Sequence, residues 1–258
     1  MKSVVGVIPA RWQSSRFPGK PLVNILGKSL IQRTYENAAR CKKLDRLVIA
    51  TDDGRIFEHA QGFGAEVCMT SLSCLTGTDR SWEVVERSFP EAEIVVNIQG
   101  DEPCLDPEVV DQLVIQLLNT PEAVMTTPVS PIADLQKALL PNIVKCVFDC
   151  HGRALYFSRS PIPFAHKSEQ APQYYRHIGV YCFRREALRR YVMLGRTPLQ
   201  ECEDLEQLKM LENGLPIHVC MVDDQAAGVD TPADLKMVER LLWQKENTYL
   251  SPAASSLL

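Results

Sequence analysis

Short runs of aliphatic and β-branched residues alternate with stretches of helical periodicity. That alternation constrains the fold more than any other feature of the chain. Val4–Ile8, Leu47–Ala50, Ile94–Ile98, Val124–Val129 and Val144–Phe148 are apolar runs of strand length. Between them lie Leu30–Cys41, Arg55–Gln61, Thr78–Ser88 and Pro107–Asn119, where apolar residues recur at helical spacing. Strands that are apolar almost throughout are buried on both faces, and parallel strands need helical crossovers. The pattern predicts an α/β fold, with a mostly parallel sheet covered by helices and the first 130 residues as a doubly wound core.

The middle of the chain breaks the pattern. His151-Gly152 is a turn signal between Val144–Cys150 and Arg153–Phe157, which predicts a hairpin. A polar, proline-bearing stretch follows over Ser160–Tyr174, and Ile178–Phe183 reads as another strand. These form an antiparallel insertion over about 144–183 within a single domain spanning 1–246. The α/β pattern then resumes. A helix is predicted over Cys202–Glu212, a strand over Ile217–Val222, and a helix over Pro232–Trp243 with Thr231 as its N-cap. Residues 247–258 are polar or small and read as a frayed, flexible tail.

Composition excludes several classes. Hydrophobic residues make up 45% and charged residues 23%, a balance that argues against disorder of the whole chain. A formal charge of −4 gives no basic surface for nucleic acid, so an anionic ligand must find local cations. No apolar run approaches the length of a membrane span, and Met1–Pro9 reads as a first strand rather than a signal peptide. The nine cysteines form no Cys-x-x-Cys, so reduced thiols in a cytoplasmic protein are expected and zinc is not.

The run Val4–Ile8 leads directly into a loop carrying Arg11, Arg16 and Lys20. Ligands of open α/β sheets bind beyond the carboxyl ends of strands, where such cations can meet a polyphosphate. Gly27-Lys28-Ser29 imitates the end of a P-loop, but the required earlier glycine is Leu22. It reads as a turn into the helix at Leu30. No Gly-x-Gly-x-x-Gly follows the first strand, which argues against a nicotinamide oxidoreductase.

Two acidic segments complete the constellation. The run Ile94–Ile98 ends in Gln99-Gly100-Asp101-Glu102-Pro103, and Gly228-Val229-Asp230-Thr231-Pro232 precedes the final helix. Mg²⁺ takes hard oxygen ligands, often one or two carboxylates with substrate phosphates, so Asp101 and Asp230 are the candidate metal pair. Glu102 is a candidate for orienting the loop. Taken alone, Asp230 reads equally as a turn or capping acid.

Together these residues resemble a known family. Pro9-Ala10-Arg11, Ser15-Arg16, Pro18-Gly19-Lys20-Pro21-Leu22, Gln99-Gly100-Asp101-Glu102-Pro103, Tyr156-Phe157-Ser158-Arg159, Arg176-His177-x-Gly179-x-Tyr181 and Gly228-Val229-Asp230-Thr231-Pro232 occur in this order. Over about residues 3–242 the chain is similar to the CMP-Kdo synthetases, the 3-deoxy-manno-octulosonate cytidylyltransferases. The resemblance implies a Rossmann-like nucleotide-diphospho-sugar transferase fold, a homodimer and magnesium. It implies transfer of CMP from CTP to Kdo, an acidic eight-carbon sugar, for lipopolysaccharide biosynthesis. By the same resemblance, nucleotide contacts fall to Ala10, Arg11, Arg16, Lys20, Thr78, Arg80 and Gln99. Sugar contacts fall to Gln99, Arg159, His177, Glu206 and Gln207, and metal to Asp101 and Asp230. Arg11, Lys20, Asp101 and Asp230 are the expected catalytic set. Position 79 is Asp where the family pattern has Glu. Read without the family, Arg159 could equally pair with a structural acid and His177 with the core.

Overall fold

In the structure, a computed structural model describing residues 3–13, 17–166, 172–223 and 228–249, the alternation of runs becomes alternating strands and helices. Strand β1 (Ser3–Ala10) leads to a small ribbon, β2 (Asn24–Ile25) and β3 (Lys28–Ser29). Helix α1 (Leu30–Ala38), β4 (Arg46–Thr51), α2 (Gly54–Gly62), β5 (Val67–Met69), α3 (Gly77–Ser88), β6 (Ala92–Asn97), α4 (Pro107–Asn119) and β7 (Met125–Pro131) follow. A short helix α5 (Leu135–Ala138) then precedes the hairpin β8 (Lys145–Phe148) and β9 (Ala154–Ser158), and strands β10 (Tyr175–His177) and β11 (Tyr181–Arg184). Helices α6 (Arg185–Met193), α7 (Pro198–Glu203) and α8 (Leu208–Glu212), strand β12 (Ile217–Met221) and helix α9 (Leu235–Tyr249) complete the described chain.

Strand β1 pairs in parallel with β4 on one side and β6 on the other, and β4 pairs in parallel with β5. Along β1, Val5 and Val7 enter one core, while Val4 and Ile8 enter the other. The first core is closed by Val84 and Val85 of α3, Leu188 and Tyr191 of α6, and Leu208 of α8. The second is closed by Ile31 of α1, Ile56 of α2, and Val110, Leu113 and Val114 of α4. This two-sided burial is why the runs carry no polar alternation. Each fully buried aliphatic side chain contributes about 1.5–3 kcal/mol relative to exposure.

The antiparallel segment is not a peripheral appendage. Strand β11 lies between β6 and β7 in the middle of the sheet, pairing Tyr181 with Asn97 and Cys182 with Thr126. The expected strand Ile178–Phe183 is broken, because Ile178–Val180 leave the ladder and Thr127 Oγ1 donates to the Val180 carbonyl at 2.8 Å. The His151-Gly152 signal does form a hairpin turn, with Gly152 at a φ of +77°.

The helix expected over Cys202–Glu212 is two helices. It breaks at Asp204, which adopts a left-handed φ of +51°. Arg159 holds the break open, donating from Nε to the Glu203 carbonyl at 2.6 Å and from Nη2 to the Asp204 carbonyl at 3.1 Å. The final helix starts as expected, with Thr231 as N-cap and a 3₁₀ turn over Pro232–Asp234, but continues to Tyr249. The rest of the expected tail, from Leu250 onward, lies outside the described residues.

Candidate active site

Strands β1 and β6 are parallel neighbours, so their carboxyl ends open on one edge of the sheet. There, Pro9, Ala10, Arg11, Gln13, Lys20, Gln99, Gly100 and Asp101 line a cleft of about 390 Å³, together with Thr76 and Gly77 at the start of α3. Two glycines allow the close approach. A Cβ on Gly100 would stand 2.8 Å from the Pro9 carbonyl oxygen, and one on Gly77 would stand 3.0 Å from Pro9 Cγ. The cleft therefore combines two cations from the first loop with the N-terminus of α3, whose dipole favours an anion.

Position 79 has a local explanation. Thr76 N donates to Asp79 Oδ2 at 2.9 Å and Asp79 N donates to Thr76 Oγ1 at 3.1 Å, a reciprocal capping box. Asp79 thus fixes the start of the helix that lines the cleft. Arg11 donates from Nη2 to the Cys74 carbonyl at 2.5 Å. Burial, with the neighbouring Arg80 charge, lowers the Arg11 pKa from its ordinary value. Arg80 itself is fully buried, paired with Asp52 at 2.6 Å and donating to Thr70 Oγ1. It is not among the residues that line the cleft. Arg16 lies outside the described residues.

The first loop and the two acidic segments meet. Lys20 Nζ donates to Asp101 Oδ2 at 2.5 Å and to the Val229 carbonyl at 2.8 Å. Val229 N in turn donates to the Asp101 carbonyl at 2.9 Å, which brings the backbone of Asp230 beside the end of β6. A Cβ on Gly228 would stand 2.8 Å from Glu102 Oε1 and 3.3 Å from the Asp101 carbonyl oxygen, so a larger residue there would have to push the Glu102 side chain aside. The capping role is taken by Asp234, whose Oδ2 accepts from Asp230 N at 3.0 Å and Thr231 N at 2.7 Å. Among the described residues no group of three His, Cys, Asp or Glu side chains gathers as a metal site. Magnesium needs no such group, since it keeps waters and takes one or two carboxylates plus substrate phosphates. Asp101 is partly exposed to the cleft and already holds a cation, the Lys20 ammonium. Its hard-oxygen chemistry and its proximity to the Asp230 backbone fit a magnesium ion.

A second set of groups, of which only Gln99 lines the cleft, gathers about β6 and β11. Asn97 Nδ2 donates to Thr78 Oγ1 at 3.1 Å, and Thr78 donates to Glu206 Oε2 at 3.0 Å. Gln99 lies beside Asn97, with Nε2 3.5 Å from Oδ1, and Gly179 faces the Gln99 side chain. Part of Glu206 reaches the surface, but its carboxylate packs deep. Burial pushes its pKa up to about 7, with the nearby Asp79 charge adding to the rise and the Thr78 hydroxyl opposing it. Gln207 is buried and accepts from Tyr181 OH at 3.1 Å, while its Nε2 has no hydrogen-bond partner.

His177 is held as a neutral ring. Nε2 lies 2.8 Å from Thr127 Oγ1, and the Thr127 hydroxyl proton is directed to the Val180 carbonyl. Thr127 must then accept, which assigns the proton to Nε2 and leaves Nδ1 with a lone pair. The ring packs at 4.9 Å from Phe157 and 5.6 Å from Tyr181. Burial, with Arg176 nearby, lowers its pKa to about 3. Arg159 spends its guanidinium on the carbonyls of Glu203, Asp204 and Pro141, and its backbone N–H on Glu203 Oε2. It positions the segment carrying Glu206 and Gln207, and three of its five N–H donors are committed to that task.

Asn97, Thr127 and Glu203 were not singled out in the sequence. Asn97 carried a usable signal, since it is a polar residue inside an apolar run and is fully buried. Thr127 and Glu203 carried none, because their partners are remote in sequence.

A Rossmann-like sheet with this cationic and acidic edge defines a nucleotide-binding transferase. Residues 5–219 match the cytidylyltransferase family model. A 3-deoxy-manno-octulosonate cytidylyltransferase of Chlamydia pneumoniae is 56% identical over 245 residues, covering 95% of this chain and 96% of that one. A protein of the same name from Protochlamydia amoebophila is 50% identical over 252 residues, covering 96% of both chains. A solved structure of CMP:2-keto-3-deoxy-manno-octonic acid synthetase complexed with CTP superposes with a TM-score of 0.89 at 40% identity, covering 95% of this chain and 100% of that one. The chain belongs to the 3-deoxy-manno-octulosonate cytidylyltransferase family.

Proposed function

We propose that the protein transfers CMP from CTP to the anomeric hydroxyl of Kdo, giving CMP-Kdo and pyrophosphate, and so supplies an activated sugar for lipopolysaccharide biosynthesis. The observation that carries this reading is the meeting of Lys20, Asp101 and the Val229-Asp230 backbone at the mouth of a cleft that also holds Arg11. Whole-length likeness to relatives of that name and to a CTP complex supports it.

The hydroxyl oxygen of the sugar forms a bond to the α-phosphorus as the bond to the β-phosphate oxygen breaks. The electron pair leaves on pyrophosphate, and the hydroxyl loses its proton. Arg11, Lys20 and the α3 N-terminus bind the triphosphate and stabilise the charge that builds on the leaving group. Gln99, which lines the cleft beside Asn97, orients the reacting groups. The neutral His177 ring, the buried Glu206 and the unpartnered Gln207 Nε2 offer acceptors and a donor to sugar hydroxyls and carboxylate. Magnesium, held by Asp101 and Asp230, would neutralise phosphate charge and acidify the attacking hydroxyl.

A homodimer is part of the proposal. Leu135, Leu139, Leu140, Leu155 and Phe164 are exposed around α5 and the β8–β9 hairpin, and a second copy would cover them. So is a cytoplasmic setting, supported by nine unpaired cysteines. No helix among the described residues is long and apolar enough to cross a membrane.

The test is pyrophosphate release with CTP, Mg²⁺ and Kdo, run beside ATP, GTP and sialic acid, with the product identified by mass. CMP-Kdo from CTP and Kdo is expected. Equal release from all three nucleotides, or release with sialic acid alone, would refute the assignment.

A further inference from the structure

Trp12 lies between two cations of the first loop in sequence terms, yet it does not line the cleft, whereas Arg11 and Gln13 on either side of it do. Its indole meets two other residues. One is Gly19, at a φ of +72°, where an added Cβ would stand 3.0 Å from the ring carbon Cη2. The other is Arg55 in the first turn of α2, whose guanidinium lies over the ring, 3.4 Å from the centroid. Arg55 is itself fixed by Asp53, the N-cap of that helix, through Nε at 2.9 Å and Nη2 at 2.6 Å. The backbone closes at the same point, with Gly19 N donating to the Trp12 carbonyl at 3.0 Å.

We propose that the Gly19–Trp12–Arg55 stack is a positioning clasp that holds Arg11 and Lys20 at the spacing a triphosphate requires. Each cation is the immediate chain neighbour of a clasped residue, Arg11 of Trp12 and Lys20 of Gly19. Holding those two backbones together fixes where the two charges start, while the remaining side-chain torsions aim them. None of Trp12, Gly19 and Arg55 lines the cleft, and the stack anchors the loop to α2 rather than to β1. Only a plane can serve on the Arg55 side. A guanidinium both covers an aromatic face and meets a carboxylate with two hydrogen bonds, which an ammonium does not.

The clasp rests on the reading of the cleft as a CTP site, and two measurements separate the two claims. The first is steady-state pyrophosphate release at varied CTP and at varied Kdo. Arg55→Ala is expected to raise KM for CTP by roughly three- to fivefold, the scale of one exposed cation–π contact. Trp12→Leu should raise it further, Trp12→Phe should recover most of the loss, and KM for Kdo should change little. Arg55→Lys keeps the charge and loses the plane, so its KM for CTP should match that of Arg55→Ala. The Trp12→Leu/Arg55→Ala double variant should be no worse than Trp12→Leu alone. The second is calorimetric binding of inorganic tripolyphosphate, which needs neither sugar nor turnover. Tighter binding by the unaltered protein than by Arg55→Ala or Arg55→Lys supports the clasp. Equal affinities, no binding by the unaltered protein, a normal KM in Arg55→Lys, or fully additive losses in the double variant would overturn it. A protein that binds tripolyphosphate through the clasp but forms no CMP-Kdo would refute only the assigned reaction.

Discussion

Lys20 Nζ stands 2.5 Å from Asp101 Oδ2, although the two residues are 81 positions apart in the chain. The loop cation and the strand-end carboxylate are each other's counter-charge, and the same ammonium also ties in the Val229 carbonyl. Under the proposed function, a triphosphate entering the cleft would compete with Asp101 for Lys20, and Asp101 would then be open to a divalent cation, so that nucleotide and metal binding would reinforce one another.

The contrast between Lys20 and Lys28 follows from that placement. Lys28 pairs with Glu36 at 2.6 Å on a half-exposed surface and is not among the residues that line the Arg11–Lys20 cleft. Hydrogen bonds to charged groups contribute about 1.5–3 kcal/mol each, so Lys20→Ala should raise KM for CTP by at least roughly tenfold. Lys28→Ala should stay within about twofold, as exposed pairs contribute little. Equal losses in the two variants would show the phosphates to be misplaced.

Glu206 predicts a dependence of stability on pH. Its folded pKa is raised to about 7, above that of the unfolded chain. Between the unfolded value and about 7 the folded state binds the extra proton, so stability falls as pH rises through that window and then levels off. Glu206→Gln removes the titration. The melting temperature of the variant relative to the parent should climb between pH 5 and pH 8. His177 acts at the opposite end. Its folded pKa is lowered to about 3, so its contribution is lost as pH falls below the unfolded histidine value near 6.5. His177→Phe should flatten the acid limb. Parallel melting curves across pH for parent and variants would contradict both assignments.

Arg159 is expected to act on the sugar side without acting on CTP. Its guanidinium spans the carbonyls of Pro141, Glu203 and Asp204, which no lysine ammonium can reproduce from one point. Arg159→Lys should cost roughly 1–3 kcal/mol of stability and raise KM for Kdo while leaving KM for CTP near normal. Chemical denaturation with the two KM values checks this. A selective rise in KM for CTP would be the opposite of the expected result.

Much of the fold was legible because burial on both faces leaves a direct mark on composition. Strand β1 and helix α4 were readable from their apolar runs, the latter bounded by Asp106, Pro107 and Asn119. The break at Asp204 was not legible. Leu205 and Leu208 keep helical spacing and are both buried, so local periodicity favours the continuous helix that Arg159, 44 residues upstream of Glu203, prevents. Strand β11 was legible as a strand but not as a central one, since its partners in β6 and β7 are set by topology. Among site residues, motifs placed Arg11, Gln99 and Asp101 just beyond strand ends, where the sheet itself brings them together, and Lys20 in the loop after β1. Arg80 could not be read in this way. An arginine buried against Asp52 and an arginine facing phosphate look alike in sequence.

One measurement addresses the proposed metal role of Asp101 and Asp230 directly: pyrophosphate release against Mg²⁺ concentration for Asp101→Asn, Asp230→Asn, the double variant and Asp234→Asn, with melting curves as the folding control. Asparagine preserves size and removes charge. If Asp101 and Asp230 act as one unit, each single variant nearly abolishes turnover and the double variant loses little more, because effects within a unit are not additive. Asp234→Asn keeps near-normal metal dependence, since Asp234 serves the helix cap. A folded Asp230→Asn enzyme with ordinary turnover and ordinary magnesium dependence would contradict the account.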